Sequence, residues 1–137
     1  NKKINLFGEY LNYKKGEQIR DFVHVDDVVN TNLWFIENRN ISGIFNVGTG
    51  VSRTFNEVAK EILNNNIKED NLLINKEDLY EYINYIEFPE NLKGRYQSYT
   101  VANLENLKNV GFKHNFLDIE EGIKRYIQQI NLNKQLF

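Results

Sequence analysis

Arg20 opens the run Arg20-Asp21-Phe22-Val23-His24-Val25-Asp26-Asp27. A guanidinium fixed at the mouth of a short apolar segment can clamp a diphosphate through two parallel charge-assisted hydrogen bonds. The alternative is an ion pair of Arg20 with Asp21 or Asp26, which would hold the loop without a ligand. Tyr96 is the second candidate, inside Lys93-Gly94-Arg95-Tyr96-Gln97. Gly94 lets the loop come close to a substrate. The phenol can donate to a phosphate or sugar oxygen while its ring covers an apolar surface. Against this stands a half-buried structural role, in a chain with eight tyrosines.

The remaining titratable residues are read as structural. His24 alternates with Val23 and Val25 and is expected to be packed rather than to act as a general base. His114, in a Lys113-His114-Asn115 turn, is expected to face solvent. Asp26-Asp27 and Glu120-Glu121 suit the positive ends of helices and receive no catalytic role. With no cysteine and two histidines far apart, no metal site is expected.

Several elements must position these groups. Lys2 to Phe7 reads as a strand, followed by a glycine-bounded loop from Gly8 to Glu17. Phe22 to Val25 reads as a buried strand, and Asp26 as the cap of a helix with Val28, Val29, Asn32, Leu33 and Ile36 on one stripe. Trp34 and Phe35 in that helix suit core or subunit contact rather than a base-stacking platform. Ile44 to Val47, between Gly43 and Gly48-Thr49-Gly50, has the look of a central parallel strand. Thr54-Phe55-Asn56-Glu57 is a capping box that starts a helix through Val58, Ala59, Ile62 and Leu63, ended by Asn64-Asn65-Asn66. Leu72 to Ile74 suggests a strand, Leu79, Tyr82 and Ile83 a short helix, and Tyr85 to Phe88 a strand stopped by Pro89. Thr100 is expected to cap a helix carrying Leu104, Leu107 and Val110, with Gly111 as its left-handed terminus. A last helix begins at Asp118 and carries Ile119, Ile123, Tyr126, Ile127 and Ile130, with fraying expected after Asn131.

With 137 residues, 41% hydrophobic and 13% aromatic, the chain can fill one core. Its net charge of −2, from 17 basic and 19 acidic side chains, gives no basic face for nucleic acid. There is no apolar run near membrane-spanning length and no signal-peptide pattern, so no membrane partner is expected. The absence of cysteine fits a reducing cytoplasmic location.

The string from Phe88 to Thr100 and the segments Arg20 to Val25, Asn32 to Phe35 and Gly43 to Gly50, in this order, closely resemble the ADP-heptose 6-epimerases. That family lies within the extended short-chain dehydrogenases/reductases, and the resemblance covers most of the chain. It implies an α/β fold built on an NAD(P)-binding Rossmann sheet. It also implies NADP-dependent epimerisation at C6, from ADP-D-glycero-β-D-manno-heptose to ADP-L-glycero-β-D-manno-heptose, for lipopolysaccharide core precursors. A homopentamer is implied as well. By motif match, Arg20 and Tyr96 would contact the ADP-heptose substrate, together with Phe7, Gly8, Glu9 and Tyr10. The stretch from Phe7 to Arg20 is several residues longer than the family's pattern, and residues 64–84 read as a surface insertion.

No glycine-rich dinucleotide fingerprint is present, and no Tyr-x-x-x-Lys lies in a helical pattern. The chain, which opens on Asn1, is therefore expected to be the C-terminal, substrate-binding part of a longer protein, inactive alone. The missing part would bind NADP and supply a catalytic Tyr-Lys pair, and about residues 21–50 would pack on the Rossmann sheet. Rival readings are another nucleotide-sugar epimerase or dehydratase of the same family, or a non-catalytic nucleotide-sugar-binding module.

Overall fold

The computed structural model describes residues 3–66 and 79–134. The suggested strand at Leu72 to Ile74 lies outside them. The fold is mixed α/β, with strands β1 (Ile4–Phe7), β2 (Ile19–Arg20), β3 (Arg53–Thr54) and β4 (Ile83–Ile86). Helices α1 (Val25–Glu37), α2 (Phe55–Asn66), α3 (Leu79–Tyr82), α4 (Glu105–Asn109) and α5 (Ile119–Lys134) complete it, with a 3₁₀ turn at Glu90–Leu92.

Two small ladders form the frame. β1 and β4 pair in parallel, with Ile4 beside Ile83 and Phe7 beside Ile86. α2 lays Ala59 and Leu63 on this pair, around buried Ile83 and against Ile4, Leu6 and Tyr85. Each fully buried Leu or Ile there stabilises the fold by roughly 1.5–3 kcal/mol. In the second ladder β2 and β3 run antiparallel, Ile19 opposite Thr54 and Arg20 opposite Arg53. Ile19 also bridges Tyr99 in parallel, its amide donating to the Ser98 carbonyl (2.8 Å) and its carbonyl accepting from Thr100 (3.2 Å). The segment that follows Tyr96 is thus stitched to the strand that ends in Arg20.

Local chemistry explains most helix ends. Glu57 donates its amide to Thr54 Oγ1 (3.1 Å) while its carboxylate accepts from the Thr54 amide (2.7 Å), so the capping box of α2 closes in both directions. Asp118 accepts from Glu121 (2.8 Å) at the start of α5. Gly111 ends α4 in the left-handed region at φ +89°.

Six expectations are corrected. Phe22 to Val25 is no strand: no described strand lies beside it, and His24, not Asp26, caps α1 through Nδ1, which accepts from the Asp26 amide (3.2 Å). Ile44 to Val47 is likewise unpaired, with Ile44 90% exposed. The helix expected from Thr100 starts only at Glu105, whose amide meets Asn103 Oδ1 (2.9 Å). β4 covers Ile83–Ile86, two residues before the strand expected at Tyr85 to Phe88. α5 stays helical to Lys134 instead of fraying after Asn131.

The apolar stripe of α1 stays open within this chain. Its buried residues are Asp27 and Thr31, whereas Val25, Val29, Leu33 and Ile36 are 47–58% exposed. The inward face is held by the Asp27 carboxylate, which is bonded to His114 (2.7 Å) and to the Leu117 amide (3.0 Å), and by Trp34, which meets Phe112 edge to face.

Candidate functional site

Arg20 and Tyr96 come together. The Arg20 guanidinium lies 4.6 Å from the Tyr96 ring centroid, a cation–π arrangement, and one of its nitrogens donates to the Ile19 carbonyl (2.8 Å). Among the described residues Arg20 makes no ion pair, although Asp21 and Asp26 are near it in sequence. Asp26 lies beside His24 (3.6 Å) and reaches towards Gln129 (3.5 Å). Asp21 faces the opposite way, into the turn at Gly48 to Gly50.

That turn is gathered by a single carboxylate. Asp21 accepts from the Thr49 amide (2.8 Å), the Thr49 hydroxyl (2.6 Å), the Gly50 amide (2.9 Å) and the Ala102 amide (3.0 Å). Burial pushes the carboxyl upward, but the Thr49 hydroxyl and the three amides outweigh it and hold Asp21 below the ordinary carboxylate range. A Cβ on Gly48 would stand 2.5 Å from the Asp21 carboxylate and 2.7 Å from Ala102, so only glycine fits beside this acceptor. Asp21 therefore fixes the strand end from which Arg20 projects.

An aromatic cluster builds the other wall. Phe7, at the end of β1, meets Phe88 and Tyr96 edge to face, with centroids 5.1 and 5.9 Å away. Phe88 is 3% exposed, touches Tyr96 at 5.2 Å, and is stacked by Tyr10 at 4.0 Å. Gly8 secures the neighbouring backbone, its amide donating to Ile86 (2.8 Å) and its carbonyl accepting from the buried Gln18 side chain (2.8 Å). Phe7, Gly8, Tyr10, Arg20 and Tyr96 thus share one region. Glu9 is exposed and lines a separate hollow with Tyr13, Lys15, Asn56 and Tyr85. A cation over a phenol ring, walled by aromatics, suits an anionic ligand that carries a flat or apolar part.

The chain's own residues do not fit a dinucleotide's phosphates. The Thr49 and Gly50 amides, which could have faced such a group, are already taken by Asp21. Tyr10 and Lys14 have Tyr-x-x-x-Lys spacing but sit around a tight turn where Tyr10 and Tyr13 exchange backbone hydrogen bonds (3.1 Å each). Off a helix, that spacing does not bring the two side chains onto one face. Among the described residues no acidic, histidine or cysteine cluster could hold a metal ion. No helix among them is long and apolar enough to cross a membrane.

Residues 1–48 match the model of the NAD dependent epimerase/dehydratase family. An ADP-L-glycero-D-manno-heptose-6-epimerase of Thiobacillus denitrificans is 43% identical over 131 residues, 93% of this chain and 40% of that protein. Both findings give a likeness to the same family, the first over residues 1–48 and the second over nearly all of the chain. It spans about two fifths of the length of this curated relative. The family's fold is borne out by a crystal structure of dTDP-glucose 4,6-dehydratase from Bacillus anthracis in complex with NAD. It superposes with a TM-score of 0.70 at 20% identity, over 98% of this chain and 36% of that one.

Two residues that organise this region were not singled out for it from the sequence. Asp21 appeared as a counter-ion for Arg20 and proves to be the acceptor of the glycine turn; the signal was the pairing of an acid with a distant Gly-Thr-Gly. Phe88 appeared as strand and proves to be the centre of the aromatic wall. His114, expected in solvent, instead pairs through Nε2 with the buried Asp27 (2.7 Å), whose second oxygen accepts from the Leu117 amide (3.0 Å). A buried carboxylate on α1 needed partners, and the segment after α4 supplies them.

Proposed function

We propose that this chain is the substrate-anchoring part of an ADP-heptose 6-epimerase. Arg20 clamps the diphosphate, Tyr96 and Phe7 cover the nucleotide sugar, and Gly8 and Tyr10 line the approach, whereas Glu9, which faces a separate hollow, takes no part. The observation that carries this reading is the un-neutralised Arg20 held over Tyr96 while Asp21 and Asp26 are engaged elsewhere. The 43% identity to the heptose epimerase supports the choice of sugar. In the intact protein, NADP would take a hydride from C6 and return it to the other face. Residues outside this chain would hold NADP and supply the Tyr-Lys pair. This chain's part is to keep the ADP moiety fixed while the sugar turns over. The chain alone would bind but not epimerise. A cytoplasmic homopentamer feeding lipopolysaccharide core synthesis belongs to the same proposal.

The partition of the longer protein follows from exposed surface. The outward stripe of α1 and the unpaired Ile44 to Val47 segment form an apolar face. Beside it, Val23, His24, Val58, Ile123 and Ile127 line a groove of about 580 Å³. The first of these is the surface that residues 21–50 would lay against the Rossmann sheet, and the groove, shared with α2 and α5, adjoins it.

Titration calorimetry of the chain with ADP-heptose, UDP-glucose and dTDP-glucose tests the proposal. ADP-heptose is expected to bind tightest, and Arg20→Ala to weaken it by about 1.5–3 kcal/mol, the worth of charged hydrogen bonds. Equal affinity in the Arg20→Ala variant removes Arg20 from the site. Preference for a uridine or thymidine sugar favours a 4-epimerase or a dehydratase instead.

A further inference from the structure

Tyr10 belongs to the stretch where this chain departs from its family's pattern, and its geometry gives it work of its own. We infer that Tyr10 is a positioning residue that clamps the 93–96 loop, and so sets Tyr96 beneath Arg20. The inference rests on the proposed anchoring role of those two residues and deepens it.

Gly94 stands at φ +74°, and a Cβ there would meet nothing within 4 Å, so no packing holds this part of the loop. Its amide donates to the Tyr10 hydroxyl (2.5 Å). The Tyr10 ring in turn lies flat on Phe88, at 4.0 Å and 10° between planes, and Phe88 is buried against Tyr96 and Phe7. Tyr10 itself is well held. It is locked to Tyr13 by two backbone hydrogen bonds across a turn in which Leu11 adopts φ +53°, a conformation that costs a non-glycine residue energy. Two residues earlier, Gly8 is bonded to Ile86 and Gln18. The clamp therefore runs from a fixed turn, through one phenol oxygen, to the Gly94 corner of a loop whose next two amides, those of Arg95 and Tyr96, are held by the Leu92 carbonyl (3.1 and 3.0 Å). A phenol suits both tasks, since its ring stacks while its oxygen accepts.

The test is Tyr10→Phe in the 137-residue chain, which keeps the ring and removes the hydroxyl, with Tyr13→Phe as the matched control. Amide hydrogen exchange by NMR is expected to quicken about tenfold or more at Gly94, Arg95 and Tyr96, and to stay unchanged in β1 and α2. Affinity for ADP-heptose by calorimetry is expected to fall about 3- to 10-fold, as for loss of one neutral hydrogen bond. Unchanged exchange at Gly94 overturns the clamp, as does an equal effect from Tyr13→Phe, which would assign the result to the turn as a whole. Faster exchange with unchanged affinity, in a chain that binds ADP-heptose and loses it on Arg20→Ala, overturns the positioning role while the anchoring proposal stands. If the wild-type chain binds no ADP-sugar, the anchoring proposal fails, and with it the inferred purpose of the clamp.

Discussion

Arg20 shows how a neighbour's occupation decides a residue's chemistry. Beside two carboxylates in sequence, it would be an ordinary surface ion pair worth little. Because Asp21 is spent on Thr49, Gly50 and Ala102, the guanidinium instead keeps its charge for another partner. Asp21 carries a pH signature. Its carboxyl is held below the usual range, so the stability it contributes is complete above the unfolded value, roughly pH 3.9, and is lost as pH falls through the lower folded one. Glu57 is shifted downward too: burial pushes it up, and the Thr54 amide, Arg53 and the Thr54 hydroxyl more than offset that. Asp21→Asn is expected to cost about 1.5–3 kcal/mol at neutral pH in urea unfolding. Its acid limb should be flatter than the wild type's, with the residual slope left by Glu57. A variant whose stability falls as steeply with acid as the parent's would show that Asp21 is not an anchor.

Among the elements, α2 was legible in full and α1 only in its periodicity. The Thr54 to Glu57 box and the Ala59 and Leu63 spacing carry their own instructions, since the cap and the apolar stripe agree. In α1 the stripe forms but stays open in this chain, because a stripe records that a helix has a face to bury and not in which partner. What holds α1 here is polar. Asp27, 2% exposed, is paired with His114 and bonded to the Leu117 amide, which fastens the segment after α4 to the helix. His114→Ala is therefore expected to cost about 1–3 kcal/mol, because it strips a buried carboxylate of its side-chain hydrogen-bond partner. Thermal unfolding measures it, and a loss under 0.5 kcal/mol on the scale of ordinary surface changes would make the pair incidental.

At the scale of the molecule, the chain keeps a small core around α2 and β1–β4 and presents a wide apolar face beside it. Faces of this kind mark contact surfaces. Leu33→Lys, at a position 50% exposed, is expected to leave the unfolding free energy of the chain within about 0.5 kcal/mol while lowering its self-association in sedimentation. A loss above about 2 kcal/mol would show that the stripe packs within this chain. The sequence by itself determined the α/β class, the family resemblance, the capping of α2 and the start of α5, because each is written in short-range pattern or contiguous motif. Only the tertiary structure decided that Asp21 turns to Gly48–Gly50, that Tyr10 reaches Gly94, that His114 finds Asp27, and that Arg20 is left un-neutralised. Those contacts join residues 28 to 87 positions apart or follow from contacts that do. No local preference encodes such pairings, because they are settled by which partners remain when the core has closed.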